Sequence, residues 1–305
     1  MNSSAGAHAK SVSQIADEIR REQITAQRKP IVESLKGHDF SVKSRREQQS
    51  VGFTPANPRE RKFIKTGIEG FDRLLEQGIP QGNSILLAGG AGSGKTIMCL
   101  QIIAHHASLG KKCLYVSFEE REEKLMQHME DFGWPVQKLI GNGKIKITRM
   151  NPFDVTRNVD ALLAKEKGEL LIDVEPMIWP KNFSNPEIIV IDSLTSIGSA
   201  FTGKEDSYRI YIEQLFRFLE KSNATSFLIT ETEQIPKIYS KQGVEEFLAD
   251  GVVVLYNLKH ENVRENAIEV LKLRGAAHKK GLVAMQITSR GIVVYPEQEV
   301  FSESG

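Results

Sequence analysis

Cysteine is scarce in this chain of 305 residues: only Cys99 and Cys113 occur, each inside an apolar run and without metal-ligand spacing. That excludes a framework of several disulfides and a cysteine zinc site; a single Cys99–Cys113 disulfide has no support in the sequence, and two buried thiols in a reducing compartment is the preferred reading. Net charge is lacking as well. The chain carries 40 Lys and Arg against 39 Asp and Glu, which excludes a uniformly basic scaffold for nucleic acid. No apolar run is long enough to span a bilayer. The opening MNSSAGAHAK lacks the apolar core of a secretion signal, so the expected location is the cytoplasm. No internal repeat is visible. A hydrophobic content of 40% suffices for one large α/β domain with an extension, or for two small domains.

Residues 1–50 are polar, poor in aromatics and mixed in charge, as in KSRREQQS. Ile15, Ala16 and Ile19 have helical spacing behind Ser13 as an N-cap, so this extension reads equally as a short amphipathic helix or as a disordered tail. Residues 51–64 hold two prolines in TPANPRERK and read as a linker. From Lys65 the pattern becomes apolar strands alternating with helices. SILLAG, CLYVSF, IKIT, EIIVID, SFLIT, VVVLYNL and AIEVLKL are the strand-like runs, and several are apolar without alternation, as in strands covered on both faces. Helices are expected over Thr96–Ala107, Glu122–Phe132 and Tyr208–Lys221. The predicted fold is α/β: a mostly parallel central sheet with helices on both faces, ending in antiparallel strands. It occupies residues 65–296, with 297–305 as a tail. In the last helix Ile210, Ile212, Leu215, Phe216 and Leu219 form one stripe for the core.

LLAGGAGSGKT carries the strongest chemical signal. Gly89, four residues, then Gly94-Lys95-Thr96 is the G-x-x-x-x-G-K-T pattern, placed between a strand and an apolar helix as its mechanism requires. Backbone N–H groups of Gly90, Ala91, Gly92, Ser93 and Gly94, and of the first helical turn to Ile97, would wrap a phosphate chain at the positive helix end. Lys95 would reach the β- and γ-phosphates, and Thr96 would ligate Mg²⁺. EIIVIDS brings Asp192 to a strand end at the same sheet edge, where it would hold the metal's water shell. YVSFEEREE follows the first helix, so its strand is expected beside the phosphate-loop strand. Glu119 and Glu120 would then orient and polarise an attacking water. Glu122 and Glu123 read as acids at a helix N-terminus. Glu231 and Glu233 end another strand and could sense a γ-phosphate.

The stretch LKLRGAAHKKG raises a separate question. Strand alternation would put Ile268, Val270, Lys272 and Arg274 on one face, which is apolar at first and cationic at its end.

Taken together, TGIEGFDRLLEQGIPQGNSILLAGGAGSGKT, YVSFEE followed by DFGW, IDSLTS, GVEEFLADGVVVL and LKLRGAAHKKG…ITSRGIVVYP resemble the KaiC-type ATPases, a branch of the RecA superfamily that includes archaeal single-domain members. The resemblance covers about Lys65 to Pro296. It implies a RecA-like P-loop NTPase core, ATP and Mg²⁺ as ligands, and assembly into homo-oligomeric rings, often hexamers, with nucleotide at subunit interfaces. It further implies that Lys272 and Arg274 reach the phosphates of ATP on the neighbouring subunit, with Leu273, His278, Asp131, Thr288 and Ser289 at positions that contact nucleotide in the family. Three of these surroundings depart from the pattern: Ala276 replaces a threonine, Ser289 an aspartate and Asp131 a serine, which touches base and ribose selectivity. Some family members carry two such domains in tandem and phosphorylate an adjacent Ser-Thr pair; here QIPKIYSKQGVEE has Ser240 alone. Upstream, Phe53-x-x-Ala56 matches a short polymerisation segment of related recombinases, or simply a turn at Pro55.

The leading functional expectation is a ring-forming, Mg²⁺-dependent ATPase that switches interactions with a protein partner not identifiable from sequence. A DNA-binding recombinase paralogue is the alternative, disfavoured by the one lysine against two acids in IGSAFTGKEDS. A serine/threonine autokinase is the third reading, because the same glutamates could activate a hydroxyl instead of water.

Overall fold

The structure, a computed structural model, describes residues 61–156, 182–236, 238–240, 243–260 and 263–300, with Pro176 and Pro180. The expected helix around Ile15 and Ile19, the Phe53-x-x-Ala56 segment and the last residues of the tail lie outside the described residues.

Strands β1 (Phe63–Ile64) and β2 (Ile79–Pro80) pair with each other, and the short helix α1 (Phe71–Leu74) lies between them in sequence. The main sheet holds β3 (Ser84–Gly89), β4 (Cys113–Ser117), β5 (Ile145–Arg149), β6 (Ile188–Asp192), β7 (Thr225–Glu231), β8 (Gly251–His260), β9 (Val263–Leu273), β10 (Val283–Thr288) and β11 (Gly291–Glu299). Their order is β11-β10-β9-β8-β3-β7-β6-β4-β5. The six strands from β8 to β5 run parallel, while β9, β10 and β11 follow as antiparallel neighbours. Every residue of β3, β4 and β6 is buried, which is why these runs lack alternation: both faces are covered.

Helices α2 (Lys95–Ser108), α3 (Glu122–Asp131) and α4 (Val136–Gly141) cover one face. Their core includes Ile85, Leu87, Met98, Ile102, Tyr115 and Val190. Helices α5 (Leu194–Ser199), α6 (Glu205–Ser222) and α7 (Glu245–Leu248) belong to the other face, with Leu86, Val116, Ile191 and Leu228. The stripe of α6 is Tyr208, Tyr211, Ile212, Leu215, Phe216 and Leu219. Burying each such side chain contributes about 1.5–3 kcal/mol.

Two expectations are corrected. The CLYVSF strand, β4, does not neighbour β3; β6 and β7 lie between them. Adjacency in sequence is only a tendency for βαβ units, and here β6 and β7, buried along all but the last residue of β7, insert between β3 and β4. The strand nonetheless ends at the same edge, since Ser117 pairs with Asp192. The second correction concerns β9. Its register with β8 shifts between Val252, opposite Lys272, and Val253, opposite Val270, leaving Leu271 as an extra residue. This bulge reverses the alternation: Ile268, Val270 and Leu273 all pack in the α2 core. Lys272 and Arg274 therefore face the α7 side, opposite to Ile268 and Val270.

Candidate functional site

Gly89 ends β3 and Lys95 begins α2, so the loop between them sits at the sheet's C-terminal edge. Gly94, the N-cap of α2, has φ of 97°, a left-handed value that glycine adopts without steric cost. A Cβ on Gly90 would lie 2.7 Å from the Gln234 side chain, and Gln234 Nε2 donates to the Ala91 carbonyl at 3.1 Å. Lys95 Nζ donates to the carbonyls of Gly89 (2.8 Å) and Gly90 (2.9 Å). Burial, foremost, holds its ammonium below the ordinary range, while Glu231, Asp192 and Glu119 pull the other way.

Asp192 ends β6, 3% exposed. Its Oδ2 accepts from the Tyr115 hydroxyl at 2.5 Å and from Thr96 Oγ1 at 3.1 Å. Burial is the main cause that pushes its carboxyl up to about 6, against the pull of those two hydroxyls. Glu119 Oε1 accepts from Ser196 Oγ at 2.7 Å and from Ser193 Oγ. Ser117 Oγ takes the backbone N–H groups of Glu119 and Glu120, which turns both carboxylates off the end of β4. Glu120 Oε2 lies 2.9 Å from Lys124 Nζ. Glu122 and Glu123 are in the first turn of α3, and Glu122 accepts from the Arg149 N–H.

Ala91, Gly92, Gly94, Lys95, Thr96, Ile97, Glu119, Glu120, Asp131 and Asp192 line one cavity of about 510 Å³, with Glu231 beside them. That volume lies within the usual span for small-molecule sites. Gly90 and Ser93 belong to the same loop, and the Ser93 hydroxyl is buried without a hydrogen-bond partner among the described residues. Thr288 and Ser289 follow the β10 residue Ile287, which also lines the cavity; Thr288 Oγ1 donates to the Gly291 carbonyl at 2.8 Å. Sequence reasoning missed Tyr115, His128, Phe132 and Gln234. Tyr115 reads as a core aromatic in an apolar strand, and only its hydroxyl distinguishes it. Phe132 lies within the DFGW stretch already singled out, next to Asp131, while His128 and Gln234 carry no motif of their own.

The remaining predicted residues lie elsewhere. Gly251 of β8 pairs with Ile85 of β3 and with Leu273 of β9, and the Arg274 N–H donates to the Asp250 carbonyl at 2.7 Å. Lys272, Leu273 and Arg274 are thus level with the start of β3, and His278 follows beyond the strand. Their own phosphate loop begins at the other end of β3. Lys272 Nζ donates to the Glu246 carbonyl at 2.9 Å, and Arg274 donates to those of Phe247 (2.9 Å) and Leu248 (3.4 Å).

The residues at the loop suit a nucleotide phosphate chain with a divalent cation. They provide a lysine ammonium, a glycine cradle, the buried Ser93 hydroxyl, and the Thr96 hydroxyl next to the Asp192 carboxylate. Among the described residues no cluster of three or more His, Cys, Asp or Glu could hold a metal alone. No described helix is long and apolar enough to cross a membrane.

Comparisons with known proteins agree with this geometry. The family model described as "ATPase: KaiC" matches residues 64–299. The chain is 31% identical over 237 residues to the circadian clock oscillator protein KaiC of Rippkaea orientalis, covering 76% of this chain and 44% of that protein. It is 33% identical to the circadian clock protein KaiC3 of a Synechocystis strain, over 76% of this chain and 45% of that one. The chain therefore spans about half the length of these curated relatives. A solved KaiC-like protein from Pyrococcus horikoshii OT3 superposes with a TM-score of 0.63 at 32% identity, over 77% of this chain and all of that one. The sheet, the phosphate loop and these matches lead to one assignment: the chain belongs to the KaiC ATPase family, within the RecA superfamily.

Proposed function

We propose that this chain binds ATP with Mg²⁺ in the phosphate-loop cavity and hydrolyses it in a homo-oligomeric ring, a hexamer by the family resemblance, acting as a cytoplasmic switch for a protein partner. One observation carries the reading. Arg274 is level with Ser84 and Lys272 with Leu86, five and three strand steps from Gly89, so about 17 Å and about 10 Å of β3 separate them from their own loop, and both side chains are held by α7 carbonyls rather than aimed at that loop. They cannot serve that loop, and a second copy is the simplest source of a phosphate at their edge.

In this reading Lys95 and the loop N–H groups hold the β- and γ-phosphates. Thr96 and Asp192 would hold the cation, which would supply positive charge to offset that of the phosphate chain. Glu119, fixed by the two serine hydroxyls, and Glu120 orient the attacking water and take its proton. Lys272 and Arg274 of the adjacent copy offset the charge that develops on the transferred phosphoryl group; an arginine in this role contributes about 10³–10⁵ in rate. The test is turnover per subunit against protein concentration, read beside light scattering with ATP and Mg²⁺. Specific activity should rise with assembly. Full activity in dilute monomer would refute the shared site.

A further inference from the structure

Resting on that shared-site reading, we infer that Tyr208 and Glu245 are positioning residues for the cations Lys272 and Arg274: they fix the helix whose carbonyls hold the two side chains at the subunit edge.

Three features build the arrangement. The bulge at Leu271 turns Lys272 and Arg274 toward α7, and re-aiming a side chain is a common use of such bulges. The carbonyls of Glu246, Phe247 and Leu248 then take Lys272 Nζ and both terminal nitrogens of Arg274. Those groups carry the negative end of the helix, which favours cations. Asp250 adds a carboxylate 3.7 Å from Arg274. The cations are therefore oriented by a cradle made almost wholly of backbone, so their position is the position of α7.

What fixes α7 is unusual. It has one turn and four residues, too short to be stable alone. Its first residue, Glu245, is 0% exposed. Glu245 Oε1 accepts from the Tyr208 hydroxyl at 2.6 Å, and Tyr208 is 1% exposed on the long helix α6. Glu245 Oε2 has no hydrogen-bond partner among the described residues. A half-satisfied buried carboxylate is a poor choice for stability, since an apolar side chain would serve the core better. It does specify one placement, because only one position of α7 brings Glu245 to the Tyr208 hydroxyl. Phe247, 71% exposed, does not anchor the turn; Val244 and Leu248 pack its ends on the core and Glu246 Oε2 accepts from the Tyr239 N–H at 3.0 Å, and the Tyr208–Glu245 contact is the buried polar bond that adds direction to this packing. Neither Tyr208 nor Glu245 lines the phosphate-loop cavity, so their effect on turnover would run through the cations alone.

Subunit mixing separates this role from a general one. The full-length variants are Lys95→Ala, which damages the loop side of a shared site; the double variant Lys272→Ala/Arg274→Ala, which damages the cation side; Glu245→Ala; Glu245→Gln; and Tyr208→Phe. Each is assayed for binding of a fluorescent ATP analogue, for turnover alone, and for turnover after one-to-one mixing. Glu245→Ala and Tyr208→Phe should bind the analogue normally and lose about 10²-fold in turnover, the scale expected when reacting groups are displaced by about 1 Å. Glu245→Gln keeps an acceptor oxygen and should stay within about threefold of the parent. Mixing either impaired variant with Lys95→Ala should recover activity, while mixing it with the double variant should not.

Unchanged turnover in Glu245→Ala and Tyr208→Phe would overturn the inference. So would recovery with the double variant instead of Lys95→Ala, or loss of analogue binding in both, which would place the pair in general folding. The control pair, Lys95→Ala with the double variant, contains neither change. If that pair fails to recover activity, the shared site itself falls; if it recovers and the test pairs do not, only the positioning role falls.

Discussion

Asp192→Asn should stabilise the nucleotide-free protein and cripple its response to metal and nucleotide. The wild-type carboxyl is raised from its ordinary 3.8 to about 6, chiefly by burial. A carboxyl that binds its proton more tightly when folded contributes stability that is fully present below about pH 4 and lost as pH climbs through about 6. The rise corresponds to about 3 kcal/mol, at about 1.4 kcal/mol per pH unit. Asparagine is the neutral isostere of the protonated acid and can still accept from the Tyr115 hydroxyl. The variant should therefore match the parent near pH 4 and exceed it by up to about 3 kcal/mol at pH 8. Urea unfolding with EDTA and without nucleotide, across that interval, measures the difference, and the other carboxylates largely cancel in the comparison. Adding ATP and Mg²⁺ should stabilise the parent and leave the variant almost unmoved. A variant less stable than the parent at pH 8, or a difference independent of pH, would refute the claim that this buried charge is held at a cost for its chemistry.

Replacing Lys272 and Arg274 with alanine should cut turnover by about 10³ or more while ATP binding persists, read from steady-state rates beside equilibrium binding. Tyr115→Phe removes a hydrogen bond to a charged acceptor, worth about 1.5–3 kcal/mol, so the Mg²⁺ concentration for half-maximal turnover should rise about tenfold or more. Glu119→Gln should bind ATP and lose turnover, and the Ser193→Ala/Ser196→Ala pair should show a smaller loss in the same direction, because those hydroxyls orient the carboxylate without replacing it. Burial pushes the Cys113 thiol up to about 12 and that of Cys99 higher than its usual range. A thiol reagent should therefore modify neither in the native protein and both in denaturant, as mass spectrometry would show.

The loop side of the site was legible because its chemistry is written in contiguous residues. Gly89 to Thr96 form a motif, Asp192 ends an apolar strand and Glu119 follows the end of another by two residues, so strand direction brings them to one edge. Tyr115 was not legible, since a tyrosine in CLYVS looks like any core aromatic until its hydroxyl is found on Asp192. The place of β4 was misjudged because the sequence does not encode which strands enter between two βαβ partners. The face of Lys272 and Arg274 was misjudged for a different reason. Alternation assumes an unbroken ladder, and one extra residue at Leu271 reverses it. Nothing in LKLRG marks a bulge: Gly275, the sole glycine there, follows the strand rather than interrupting it.

That reversal joins the fold to the proposed chemistry. In a regular strand Lys272 would share a face with Ile268 and Val270 and point toward the α2 core, where a cation is costly to bury. The bulge lets Leu273 take that apolar position and sends both cations to the carbonyls of α7 at the sheet's opposite edge. A parallel sheet collects its loops at one edge, so a single copy has its phosphate cradle at one end of β3 and its spare cations at the other. On the proposed reading such a chain cannot close its own site without dismantling the strand between them. Two copies can, by setting the cation edge of one against the loop edge of the next. The pair then still has one free edge of each kind, one on each copy. A head-to-tail contact of this type closes into a ring or grows without limit, which is why turnover and assembly are expected to rise together.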